Sequence, residues 1–145
     1  MFSNILLLKN KNKNKKMSSP ENISTVIAVG YSHTCAVLSD GTIKLWGSPG
    51  NGALGNGQTS AGNIGDGSSE MGDNLTAIGT STFGAGRTVV SVACGVRTTG
   101  VVLDNGEVWT TGKNNNGQLG RNGTTYQSTF GKVNIGTDNA VDISI

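Results

Sequence analysis

Short apolar runs separated by glycine and polar residues fill the chain from residue 26 onward. Val26 to Val29 is one run and stops at Gly30, Thr34 to Leu38 is a second, and Thr42 to Trp46 follows Asp40-Gly41. Runs this short, rich in β-branched residues and bounded by turn formers, predict strands, and Asp-Gly predicts a two-residue hairpin turn between the second and third. Val90 to Ala93, Thr99 to Leu103 and Glu107 to Thr111 repeat the series, with Asn105-Gly106 in the turn. No segment carries apolar residues at sustained helical spacing.

The repetition is register-true. Ile27 to Gly55 realigns without gaps onto Val92 to Gly120. The identities pair Ala28 with Ala93, Gly30 with Gly95, Thr34 with Thr99, Val37 with Val102, Leu38 with Leu103 and Gly41 with Gly106. They continue through Gly47 and Gly112, Asn51 and Asn116, Gly52 and Gly117, Leu54 and Leu119, and Gly55 and Gly120. Glycines at fixed places mean that the copies share turns, as a repeated supersecondary unit would. Ala140 to Ile145 resembles Val89 to Cys94 and predicts the first strand of a third copy. The second spacing is about 14 residues shorter than the first, which places an insertion in the Gly/Ser/Asn-rich stretch from Gln58 to Asn74. The expected organisation is a head over 1–25, a first repeat with its inserted loop over 26–89, a second over 90–140, and the start of a third over 141–145.

These residues resemble a known family. Gly30-Tyr31-Ser32-His33-Thr34 through Asp40-Gly41 to Trp46-Gly47, then Asn51-Gly52-Ala53-Leu54-Gly55, is similar to the regulator-of-chromosome-condensation repeat, and Asn116-Gly117-Gln118-Leu119-Gly120 resembles its closing loop again. Glu70 to Leu75 is similar to an insertion in a bacterial and viral branch of the family. The second copy departs from the pattern where Thr98, Gly100 and Thr111 stand in place of His33, Cys35 and Trp46. The resemblance implies an all-β fold: part of a seven-bladed β-propeller, about two blades of antiparallel strands plus the first strand of a third. Kelch and WD-type repeats lack their signatures here. The residues expected to hold the repeat together are Gly30, His33, Asp40, Gly41, Trp46, Gly47, Gly52, Leu54 and Gly55, with Gly95, Gly106, Gly112, Gly117, Leu119 and Gly120 in the second copy.

Composition narrows the function classes. Hydrophobic residues are only 34% of the chain, and it holds 23 glycines. The net charge of +2 comes from five lysines between Lys9 and Lys16; from Met17 onward six basic residues face nine acidic ones. The folded part therefore offers no broad basic face, and direct nucleic-acid binding is not expected from it. The head reads as a disordered Lys/Asn tail, and Met17 as an alternative start. Its apolar patch, Ile5 to Leu8, is shorter than a signal-peptide core or a membrane span, so the expected location is intracellular, cytoplasmic or nuclear. Cys35 and Cys94 read as reduced, buried residues.

No constellation for catalysis stands out. His33 is the only histidine and is read as a structural hydrogen-bonding residue. Gly50-Asn51-Gly52-Ala53-Leu54-Gly55 matches the dinucleotide-binding string, but no helix follows to receive a pyrophosphate. Asp66, Glu70 and Asp73 fit no complete calcium loop. Trp46 is read as a blade-packing residue. Catalytic, cofactor and metal sites are each expected to be none. The resemblance implies a protein-interaction scaffold that is not an enzyme. Part of a guanine-nucleotide exchange factor for a small GTPase, or a regulatory repeat region of a larger enzyme such as a ubiquitin ligase, stands as the alternative. The expected partners are proteins, a small GTPase among the candidates, with no membrane, and with self-association if the chain is this short.

Overall fold

The computed structural model describes residues 27–60 and 62–145, and the Lys/Asn head lies outside them. Two antiparallel sheets stack face to face. The first contains β1 (Ile27–Val29), β2 (His33–Val37) and β3 (Ile43–Gly47) in that order; the second contains β4 (Val89–Cys94), β5 (Thr98–Leu103), β6 (Val108–Gly112) and β7 (Gln127–Lys132). Each is a meander of neighbouring strands, the unit from which propellers are built. The one α-helix among the described residues is the single turn α1 (Thr80–Phe83).

The hairpin turns differ from the expected two-residue form. Leu38 N–H donates to Thr42 O (2.8 Å) and Gly41 N–H to Leu38 O (2.9 Å), leaving three residues in the loop. Gly41 alone takes positive φ (79°), and Gly106 repeats it at 80°. This is a type I turn closed by a left-handed glycine, which keeps Asp40 in ordinary backbone space and frees its carboxylate to cap Thr42. That carboxylate accepts from Thr42 N and Oγ1, which holds its pKa below the ordinary value.

Alternation sorts the side chains. Cys35, Val37, Ile43 and Leu45 face the second sheet and are buried, while Thr34, Ala36, Lys44 and Trp46 take the opposite face. The second sheet meets the first with Val89, Val92, Val101 and Leu103, and Leu54, Phe83 and Phe130 complete the core. Phe83, delivered by α1, stands edge-on to Trp109 (centroids 5.6 Å) and Phe130 (5.4 Å). Trp46 is half-buried on the face of β3 opposite Ile43 and Leu45.

The blade-to-blade geometry recurs at the end of the chain. Val89 N–H donates to Gly41 O (2.9 Å), and Ala140 N–H donates to the matching Gly106 O (3.0 Å). Ile143 and Ile145 lie over Gly100 and Gly95, where an added Cβ would meet them at 2.5 and 2.7 Å. Residues 139–145 thus lie on the second sheet as 88–94 lie on the first. The strand expected at 141–145 is not formed, because no neighbouring strand lies beside it among the described residues.

The insertion disrupts the first sheet's outer edge. In the second sheet Gly112 pairs with Gln127, and Val133 N–H donates to Val108 O (2.8 Å), with residues 128–132 between. In the first, the matching Gly47 and Ile43 form isolated bridges to Ile64 and Ile78, and residues 65–77 bulge out between them. A fourth strand is therefore present only as its two ends.

Because Phe83 is only 3% exposed and packs edge-on against Trp109 and Phe130 of the second sheet, Phe83→Ala is expected to cost about 3–5 kcal/mol. Urea unfolding followed by tryptophan fluorescence will show the midpoint drop.

Candidate interaction site

Two loops and two turns converge at the seam between the sheets. Gly47 and Gly112 each end a strand at positive φ (103° and 109°), and a Cβ there would run into the carbonyls of Ser32 and Arg97. Those carbonyls accept from Ser48 N (2.8 Å) and Lys113 N (2.7 Å), which fixes each strand end against the preceding turn. The closing loops repeat as well: Gly52 N–H donates to Pro49 O and Gly55 N–H to Gly52 O, as Gly117 does to Asn114 O and Gly120 to Gly117 O.

A buried polar chain crosses the seam. Thr99 Oγ1 donates to Ala53 O (2.7 Å) and so accepts from His33 Nε2 (2.8 Å). That sets the tautomer: Nε2 carries the proton, and Nδ1, buried without a partner, does not. Burial lowers the His33 pKa from 6.5, because a charged ring could neither be hydrated nor place its second proton. Thr111 Oγ1 lies 2.9 Å from both Gly52 O and Gln127 O, tying the same loop to the second sheet. Asn114, fully buried, accepts from Leu119 N (2.9 Å) and donates to Gly123 O (3.0 Å), bracing the second closing loop from within.

His33, Gly30, Gly47, Gly52, Leu54 and Gly55 gather at this seam, whereas Asp40 and Gly41 lie at the hairpin end of the sheet with Thr88 against Gly41. Gly95, Gly112, Gly117, Leu119 and Gly120 take the matching places in the second sheet, and Gly106 lies against Asn139. Thr99, Thr111 and Asn114 were not among the expected residues. The Thr34–Thr99 identity hinted at the first, and nothing in the sequence marks the other two. Cys35 and Cys94 are unpaired and buried beside this chain, and burial raises both thiols, Cys94 to about 11. No group of three or more His, Cys, Asp or Glu side chains among the described residues could hold a metal ion. Glu70 spends its carboxylate on Gly65 N (2.8 Å) and Gly67 N (2.9 Å), with its pKa lowered by those bonds.

On the outer surface of the same end, the turns that follow Gly30 and Gly95 present Tyr31 and Val96, 81% and 62% exposed. They occupy equivalent places in the two copies, and Arg97 Nη1 bonds Asn51 Oδ1 (2.9 Å), joining one turn to the other copy's closing loop.

The profile of the regulator of chromosome condensation (RCC1) repeat matches residues 25–53 and 89–118, the strands, turns and loops just described. The chain carries RCC1-type repeats. Their arrangement is similar to that in yeast RCC1 (Prp20), solved bound to Kap60, at 27% identity and TM-score 0.61, covering 79% of this chain and 26% of that one. The structure of Prp20p from Saccharomyces cerevisiae, described with its binding properties to Gsp1p and histones, matches at 26% identity and 0.57, covering 78% and 26%. Human WBSCR16, at 19% identity and 0.60, covers 88% and 32% and shares the fold. The chain thus spans a quarter to a third of these structures. Its two sheets are similar to a portion of an RCC1 propeller, and among its described residues no helix is long and apolar enough to cross a membrane.

Acid should loosen the RCC1-type seam. The unfolded chain binds a proton on His33 below pH 6.5 and the folded chain resists it, so stability is full above about 6.5 and falls below it, by at most about 1.4 kcal/mol per pH unit. Urea midpoints between pH 8 and 5 should show this slope, and His33→Gln should remove its share. Thr99→Val leaves the Ala53 carbonyl and the His33 ring without partners and is expected to cost about 1–3 kcal/mol in the same assay.

Proposed function

We propose that this chain is a protein-interaction scaffold without catalytic chemistry of its own, its repeats running over 26–89 and 90–140 with a third beginning at 141. The glycines named above, His33, Asp40, Trp46 and the two closing-loop leucines act as the structural positions of each repeat. The observation that carries the reading is the pair Tyr31 and Val96. Two large apolar side chains stand in solvent at the same turn of successive repeats. Repetition of an exposed apolar position marks a contact surface better than a single exposed residue does. An intracellular location, cytoplasmic or nuclear, accords with protein partners of this kind.

Prp20p's binding properties to Gsp1p and histones supply the first partners to try, a small GTPase and basic chromatin proteins. A scaffold needs binding alone; the alternative of guanine-nucleotide exchange requires that binding also expel the nucleotide. Immobilised chain should capture Gsp1p or core histones in biolayer interferometry, and Tyr31→Ser with Val96→Ser should weaken capture at least tenfold with the fold intact by circular dichroism. Release of fluorescent GDP from Gsp1p should not accelerate. Acceleration would favour the exchange reading, and capture that ignores the double substitution would contradict the turn surface.

A further inference from the structure

The two sheets differ in one rung of the ladder. Ile43 exchanges both backbone hydrogen bonds with Ile78 (2.9 and 2.8 Å), and Gly47 exchanges both with Ile64 (2.8 and 2.9 Å). Alternation along β3 sends the N–H and C=O of Leu45 to the same outer side. In the second sheet the matching Thr110 pairs there with Gly131. In the first, no described residue pairs with Leu45 on that side. The bulge 65–77 leaves instead a cleft of about 660 Å³, with Leu45, Leu54, Ile64 and Leu75 in its walls and Asn74 and Thr82 at its margin. The bulge is held in its own shape by Glu70 on Gly65 N and Gly67 N, and by Lys44 Nζ donating to Gly72 O (2.7 Å).

We propose that this gap is a binding site for a short extended peptide segment of a protein partner, which completes the sheet at Leu45. The proposal rests on the scaffold reading and names a second contact for it. β7 shows what the slot accepts, since an extended backbone occupies it in the second sheet. The distance from Ile43 to Gly47 along a strand is about 13 Å, room for roughly three extended residues. The central residue exchanges N–H and C=O with Leu45, and its side chain falls on the same face as Leu45, against Leu54 and Leu75. An apolar centre flanked by small polar residues fits that environment. Main-chain pairing supplies affinity and the single side chain supplies selection, as in strand addition generally.

The probe is the capped peptide acetyl-Thr-Val-Thr-amide, read by amide hydrogen exchange and nitrogen-15 NMR on the full chain. In the free protein the Leu45 amide should exchange at least tenfold faster than those of Ile43 and Gly47. Millimolar peptide should slow it at least tenfold, and the same peptide N-methylated at valine should not. Replacing 65–77 with the sequence of 128–132 should protect Leu45 without peptide and abolish the response. Tyr31→Ser with Val96→Ser should leave it unchanged, so a failure of the turn surface and a failure of the slot are told apart. A Leu45 amide as protected as Ile43 in the free chain, or one indifferent to the peptide, would overturn the proposal.

Discussion

The backbone carbonyls of Gly52 and Ala53 point into the seam between the two sheets, and a threonine hydroxyl from the second sheet meets each of them. A loop carbonyl buried between apolar sheets without a partner costs several kcal/mol, so the position of the whole closing loop depends on Thr99 and Thr111. His33 completes the arrangement by donating to Thr99, which makes the hydroxyl both acceptor and donor. Around this polar line the packing is apolar: Ile43, Val89 and Val101 are fully buried. The hydrophobic contacts supply the attraction between the sheets. The hydroxyl line supplies the register, because sliding by one residue would leave the carbonyls unpaired.

This constraint explains why glycine recurs where it does. The strand ends at Gly47 and Gly112 must pass close to the carbonyls of Ser32 and Arg97, and the closing loops must turn back at once toward the seam. The same requirement leaves the outer surface of these turns free to vary. Tyr31 and Val96 share a position and exposure without sharing chemistry, as expected of side chains that the internal packing does not select.

Much of the fold was legible because it lies in turns, and turns have local causes. Asp40-Gly41 and Asn105-Gly106 announce their hairpins, and the matched glycines announce the repeat. What was not legible has non-local causes. β7, with Gln127, Ser128 and Lys132 among its residues, lacks a strong strand signature and forms because β6 offers it an edge. The short helix at Thr80–Phe83 carries no periodicity to detect, although it delivers a central core ring. Thr111 and Asn114 look like ordinary loop and strand residues until the facing carbonyls are known.

If the hydroxyl line couples the sheets, they should unfold as one unit. Native-state hydrogen exchange across low urea concentrations tests this most directly, comparing the protected amides of β2 with those of β5. The account predicts that both sets converge on one opening free energy and one urea dependence. Separate isotherms, with one sheet opening while the other stays protected, would contradict it.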